Sequence, residues 1–356
     1  MDKLTIGKVA NHACIRVQKM ALPLLGNGHN VHLIAFKMPS FVEAYKSFSL
    51  ALNIDQLSEL IKIYEPHVDV WHVHNEPSWP VTLIKELSNK PVILDVHDSY
   101  LSRLTDEQYT EILDRGEEAV RITSEERNNF QLADGLVFPS ESFADLICDE
   151  FKLKQPRIIL PSYVPYGMYR YNSKQWIGGL VYEGRIDIPK DIAEAANLTG
   201  FSYCEYSDLA KKCHELGVDF HIYAIREDEE FKKIYKDIAF LHQGLHYRSL
   251  LKTLQRHDWG LVGNINKTSQ WEVAFPNKMF EYIAAGVPVV AINAKTSGDF
   301  LEQEGLGIHV KSIEELCERW SEHREIRKNL LKTRKKWSMD EHIYKLENLY
   351  NEVLRG

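Results

Sequence analysis

The stretch FPNKMFEYIAAGVPVVA, residues 275–291, decides the fold of this 356-residue chain. Pro276 suits the first turn of a helix, where its missing N–H is one that the helix leaves unpaired anyway. Asn277 and Lys278 then stand at the amino end, and Glu281 lies about one turn further in. A helix start presents unpaired N–H groups and a partial positive charge, so a phosphate can dock there, with Lys278 adding a full charge. Glu281 is suited to accept two hydroxyl hydrogen bonds from a ribose. The helix ends in Ala-Ala-Gly and feeds VPVVAI, a run suited to burial in a parallel sheet. By itself the stretch also fits an ordinary capped helix leading into a core strand.

Working outward, short β-branched and aromatic runs recur on both sides of a central break. VHLIAF at 31–36, VDVWHVH at 68–74, PVILDVHD at 91–98 and GLVFPS at 135–140 form a first series. GGLVYEGR at 178–185, DFHIYAI at 219–225, WGLVGN at 259–264 and VPVVAIN at 287–293 form a second. Helical stretches separate the runs, and that rhythm predicts βαβ units in two parallel sheets, an α/β chain with two Rossmann-like halves. Between the series, PSYVPYGMYRYNSKQW at 161–176 lacks either period and reads as an interdomain connection. The boundary falls near Pro165, giving domains 1–165 and 166–339. Ser312 with Glu315 and Ser338 with Glu341 have capping-box spacing, and the tail after Ser338 reads as a helix of its own.

Forty-three basic against 51 acidic residues leave a net charge of -8, which disfavours generic binding to nucleic acid or acidic membranes. The basic run REIRKNLLKTRKK at 324–336 is the exception, either a solvated helix face or a peripheral contact to an anionic membrane surface. The five cysteines, at 14, 148, 204, 213 and 317, make no C-x-x-C pair and no zinc-type grouping, which fits a reducing cytosol. No signal-peptide core is present, and the longest apolar stretch, 283–292, falls well short of the roughly 18 residues of a membrane span. A cytoplasmic protein is expected. Only Gly7 stands where G-x-G-x-x-G would follow the first strand, so a hydride-transfer enzyme is disfavoured.

Taken together, these strings resemble the retaining family-4 glycosyltransferases of the GT-B fold. The likeness is carried by FPNKMFEYIAAGVPVVA, by LLGNGHNVHLIAF at 24–36, DVWHVHNEP at 69–77 and PVILDVHDSY at 91–100, and by GGLVYEGRIDIPK at 178–190. It implies two Rossmann-like domains facing across a cleft, with a C-terminal helix of residues 340–356 crossing back to the first. It further implies transfer of a sugar from a nucleotide-diphosphate donor, UDP-linked, with retention and without a metal or other cofactor. By the same resemblance Arg185 and Lys190 contact the donor diphosphate, and His97 approaches the donor sugar; these three are the expected catalytic residues. Asn277, Lys278 and Glu281 are the expected donor-binding set. The family's usual first glutamate would fall at Val273, so Glu272 is the substitute candidate. Arg16, in a loop without the family's glycine pair, is expected to supply charge near the donor phosphates.

His72, His74 and His97 fall at or just after the carboxyl ends of predicted strands, where open α/β sheets place ligands. His12, His74 and Asp98 are the acceptor-side candidates, the acceptor being a glycan, a lipid-linked glycan or another hydroxyl. No spacing demands a metal. Three readings compete with sugar transfer to such an acceptor: a nucleotide-sugar 2-epimerase of the same fold, a GT-B-shaped binding protein without catalysis, and transfer to a modified DNA base, which the net charge disfavours.

Overall fold

The computed structural model describes residues 3–75, 77–99, 101–102, 117–169, 175–189, 192, 204–224, 226 and 228–356. It contains two units, Met1–Pro165 with Met339–Gly356, and Tyr166–Ser338. The first is built on β1 (Thr5–Ala10), β2 (Asn30–Ala35), β3 (Ser47–Leu50), β4 (Val70–His74), β5 (Val92–Asp95), β6 (Gly135–Phe138) and β7 (Arg157–Ile159). These strands form one sheet in the order β3-β2-β1-β4-β5-β6-β7, with β1 paired in parallel to both β2 and β4. The order reverses between β1 and β4, the position at which such sheets open a crevice for ligands. Every residue of β4 is buried, because helices cover both faces of a parallel sheet.

The second unit repeats the plan with β8 (Leu180–Gly184), β9 (Phe220–Ala224), β10 (Phe240–Gln243), β11 (Trp259–Gly263), β12 (Val289–Ile292) and β13 (Gly307–Val310). Its order, β10-β9-β8-β11-β12-β13, places the reversal between β8 and β11. The expectation of two Rossmann-like α/β halves with parallel sheets is therefore met. The core under this sheet includes Tyr182, Phe220, Ile222, Trp259, Leu261 and Ile292.

Six helices position the side chains discussed below: α1 (Ile15–Gly26), α2 (Ile54–Tyr64), α3 (Pro80–Leu87), α4 (Tyr247–Leu254), α5 (Ser269–Val273) and α6 (Asn277–Ala285). The docking of α6 is set by one glycine. A β-carbon placed on Gly260 of β11 would lie 2.3 Å from Cγ of Tyr282, so only glycine leaves room for that ring. The Tyr282 hydroxyl then donates to the Val181 carbonyl at 3.2 Å, fixing α6 against β8 as well. Gly286 ends the helix at φ +78, a left-handed conformation that glycine adopts without strain. Pro276 differs from its expected place by one residue: it is the N-cap, extended at ψ 148, and Asn277 is the first helical residue.

The tail also differs in detail from its expected single helix. It forms a short helix, Met339–His342, and a longer one, Tyr344–Arg355. The Ser338 hydroxyl is buried without a hydrogen-bond partner, so it makes no capping box. The main chain is secured instead by Met339 N donating to Val164 O at 3.1 Å. The longer helix belongs to the first unit, where Glu347 accepts from Asn27 at 2.8 Å and pairs with His29 at 2.9 Å. In the basic run, Arg327 donates to the Gln255 carbonyl at 3.2 Å and lies over the Trp176 ring. Arg334 donates to Ala284 O at 2.6 Å, and Lys336 pairs with Glu304 at 3.0 Å. These three charges are committed to the second unit itself.

Candidate active site

In the second unit, the end of β8 and the start of α6 meet. Gly184 has φ +115, and a β-carbon there would stand 3.7 Å from Lys278 Cε, so the lysine stem lies against the strand end. Lys278 Nζ sits 4.8 Å from the centre of the Tyr182 ring and 5.8 Å from that of Trp271, whose faces attract a cation. Arg185 follows directly. Its side chain is 67 % exposed, and Nε pairs with Asp187 at 3.2 Å. Asn277 is half-buried at the first helical position. Glu281 is 3 % exposed on the same helix. The buried hydroxyl of Tyr247, first residue of α4, lies close to the Glu281 carboxylate. Burial and the nearby Glu281 and Glu183 carboxylates push that phenol well above its ordinary range. Tyr247 carried no signal in the sequence, since it reads as one more aromatic at a helix start. Glu272 lies on α5 with its side chain exposed. Lys190 lies outside the described residues.

In the first unit, strand register creates a buried polar cluster. Lys8 is level with His72, and Ala10, His74 and Asp95 are level across β1, β4 and β5. Residues two apart share a face, so Lys8, His72, His74 and Asp95 all project to one side. Lys8 Nζ lies 3.2 Å from His72 Nδ1 and 3.0 Å from His74 Nε2. His74 Nδ1 meets Asp95 Oδ2 at 3.0 Å, and His72 Nδ1 meets the Tyr350 hydroxyl at 2.7 Å. The expectation that Arg16 serves the donor phosphates is corrected here. Its guanidinium is 1 % exposed and clasps Asp95 through Nε at 2.9 Å and Nη2 at 2.7 Å. A buried carboxylate needs such a cation. His74, expected on the acceptor side, is likewise inside the cluster, 2 % exposed.

Burial sets the protonation of this cluster. It lowers Lys8 to about 7, although Asp95 pulls the other way. Burial and Lys8 together push His74 down to about 3. Burial opposes ionisation of Asp95, but Arg16, His74 and His97 hold its carboxyl well below the usual range. His97 moves the opposite way, to about 10: burial opposes its charge, yet the Asp95 carboxylate, 3.3 Å from Nδ1, and the nearby Cys14 prevail. Its backbone is fixed by Asn75, whose Oδ1 accepts from His97 N at 3.1 Å while Nδ2 donates to Asp98 O. His12 is exposed on the loop after β1, and Asp98 is half-buried.

A cavity of about 700 Å³ opens on the same unit, lined by Asn11, Phe36, Asn53, Ile54, Asp55, Pro77 and Trp79. Asn11 follows β1, Phe36 follows β2, and Trp79 precedes α3. Its walls therefore gather at the carboxyl ends of strands flanking the reversal point. Asn53 caps α2 by accepting from Gln56 N at 2.9 Å. Phe36 and Trp79 stand 6.3 Å apart, tilted by 59°. Among the described residues no group of three or more His, Cys, Asp or Glu is arranged to hold a metal ion.

A second histidine group lies on the sheet of the second unit. His221 Nδ1 meets His242 Nε2 at 3.0 Å, and His257 Nδ1 donates to Gly178 O at 2.8 Å. Burial lowers His221 to about 4 and His257 to about 3. Both values lie below the ordinary 6.5, so the unfolded chain binds protons that the folded one refuses. The stability they support is complete above about pH 6.5 and is lost as pH falls toward about 4. Thermal unfolding of the wild-type protein should therefore shift downward between about pH 6.5 and 4.5, above the range where ordinary carboxylates titrate. A midpoint that stays flat over that window would mean these rings are solvated.

Two sheets of Rossmann order, the second with Gly184 at a strand end against Lys278 at a helix start, are those of the GT-B fold. Residues 198–339 match the family model described as the glucosyltransferase 3-like C-terminal domain. No curated protein sequence matches the chain. Among solved structures, sucrose-phosphate synthase from Thermosynechococcus elongatus aligns over 99 % of this chain and 100 % of its own, at 12 % identity and TM-score 0.70. A glycosyltransferase involved in avilamycin A biosynthesis aligns over 99 % and 98 %, at 14 % identity and TM-score 0.61. An alpha-glucosyltransferase in complex with UDP-glucose and DNA containing an abasic site aligns over 100 % of both chains, at 11 % identity and TM-score 0.63. At these identities the structures establish the fold, and the family model places a glycosyltransferase domain in the second half. No helix among the described residues is long and apolar enough to cross a membrane.

Proposed function

We propose that this protein transfers glucose from UDP-glucose to a hydroxyl of a carbohydrate acceptor, with retention and without a metal. The observation that carries the reading is the meeting of Lys278, on the helix that also carries Glu281, with the strand end at Gly184, in the part of the chain where residues 198–339 match a glucosyltransferase domain. The α6 start and Lys278 suit a diphosphate, and Glu281 suits the ribose. As the bond to the sugar breaks, negative charge grows on the departing UDP, and Lys278, Arg185 and Lys190 supply the opposing charge. His97, held protonated, is the hydrogen-bond donor proposed for a hydroxyl of the transferred sugar. The cavity of the first unit suits the acceptor: Trp79 and Phe36 can cover the apolar face of a sugar ring, and Asn11, Asn53 and Asp55 can meet its hydroxyls.

Purified protein given UDP-glucose and a panel of soluble glycosides should release UDP only when an acceptor is present. Conversion of the donor to a free epimer would favour the epimerase reading instead, and donor binding without turnover across the panel would favour a binding protein. Replacing Glu281 with alanine should weaken UDP binding by about 1.5–3 kcal/mol, the scale of a hydrogen bond to a charged group. Calorimetry on the folded variant measures this directly; unchanged affinity removes Glu281 from the nucleotide site.

A further inference from the structure

The walls of the first unit's cavity share one chemical preference. Phe36 and Trp79 line it with two aromatic rings, their centres 6.3 Å apart and their planes inclined at 59°, so they form a corner and not a stack. The face of an aromatic ring carries negative potential and attracts a cation. Asp55, in the first turn of α2, is the one charged side chain among the described residues that line the cavity; no lysine or arginine is among them. Its carboxylate is exposed and has no ion-pair or hydrogen-bond partner among the described residues. Glu59, one turn further along the same helix and also exposed, is held by Lys62 at 2.8 Å. Asn53 commits its Oδ1 to Gln56 N at 2.9 Å, which leaves its Nδ2 as a donor. Lys37, next to Phe36 in the chain, does not line the cavity.

Two ring faces set at an angle beside an unpaired carboxylate suit an ammonium group. A hydroxyl gains only a hydrogen bond from such a carboxylate, whereas an ammonium adds an ion pair and the attraction of the rings. A phosphate or a uronate meets the same carboxylate as a like charge. We propose that the acceptor is an amino sugar, its ring against Trp79 and its ammonium held between the aromatic corner and Asp55. Asn11 and Asn53 then meet its neutral hydroxyls, and a volume of about 700 Å³ admits a sugar ring with its substituents. The proposal rests on the function proposed above in taking this cavity as an acceptor site; the preference for an amine is measurable by binding alone.

The test compares methyl glycosides on the intact protein, by calorimetry or ligand-observed NMR at about pH 6.5, where an amine similar to an α-amino group is charged. Methyl glucosaminide should bind at least about fivefold tighter than methyl glucoside, the scale of a partly solvated ion pair with a ring contact. N-acetylation should abolish the advantage, since it removes the charge and keeps the ring. Methyl glucuronide should bind most weakly of all. Asp55→Asn, an exposed change of nearly equal volume, should bring glucosaminide to the level of glucoside, with circular dichroism showing that the variant is folded. Equal affinity for glucosaminide and glucoside in the wild-type protein overturns the proposal. So does tighter binding of the glucuronide, a preference that survives Asp55→Asn, or no saturable binding of glucosaminide up to about 20 mM. If the amine preference holds while UDP-glucose is never turned over, the site stands and the proposed function falls. If glucose reaches neutral acceptors with no amine preference, the function stands and the amino-sugar assignment falls.

Discussion

Asp95→Ala is expected to destabilise the first unit by about 3–5 kcal/mol, the cost of leaving a buried charge without its partner. Asp95 is fully buried and meets Arg16 at 2.7 Å, His74 at 3.0 Å and His97 at 3.3 Å. Arg16 cannot turn to solvent to recover its hydration, since it is itself 1 % exposed. Its Nη1 is already buried without a hydrogen-bond partner, so the loss of Asp95 adds to an existing deficit. Lys8 responds too: Asp95 is the leading influence that opposes burial and keeps the ammonium charged, and without it the value falls below about 7. Asp95→Asn keeps the volume and one acceptor, and should lose less. Urea denaturation of the three proteins provides the comparison. A loss below about 1 kcal/mol for the alanine variant would mean that water enters and solvates Arg16.

Lys278→Ala should lower turnover at saturating donor by about a hundredfold or more, the scale of removing one preorganised group that faces developing charge. The two cations described at this site are not equally prepared. Lys278 is held over two aromatic rings and needs no rearrangement, whereas Arg185 is exposed and must give up Asp187 to reach a phosphate. Arg185→Ala should therefore cost less than Lys278→Ala, and Arg185→Lys should restore part of the activity, because a point charge cannot reproduce a planar fork. In both alanine variants kcat should fall more than KM rises, since the leaving group is most charged in the transition state. Steady-state kinetics with the acceptor saturating decides it. A change confined to KM would assign these groups to ground-state binding alone.

The strands were legible because each is a short apolar run bounded by turn residues, and a parallel sheet buried on both faces demands such runs. Gly-Arg at 184–185 and Pro-Asn-Lys at 276–278 were legible because a glycine, a charge and a helix start read locally. Arg16 misled for the same reason. Its sequence neighbourhood says loop beside a helix, and only the register of β4 and β5 shows that Asp95 waits inside to receive it. Lys8 looked like an unremarked strand residue, yet it is completely buried. Its burial depends on two histidines over 60 residues away, with separations of 64 and 66 in the chain. The closeness of the Tyr247 phenol to Glu281 was invisible for the same physical reason, because it joins elements whose adjacency is a property of the sheet order.

The return of the tail to the first unit has a consequence for biosynthesis. The second unit, Tyr166–Ser338, is one continuous segment inserted between two parts of the first, and it can close as soon as that segment is made. The first unit cannot. His72 Nδ1 must wait for the Tyr350 hydroxyl, and His29 and Asn27 must wait for Glu347. The sheet of the first unit is thus closed by a helix made after the whole of the second, so a nascent chain holds its buried lysine and histidines unsealed while Tyr166–Ser338 is being synthesised.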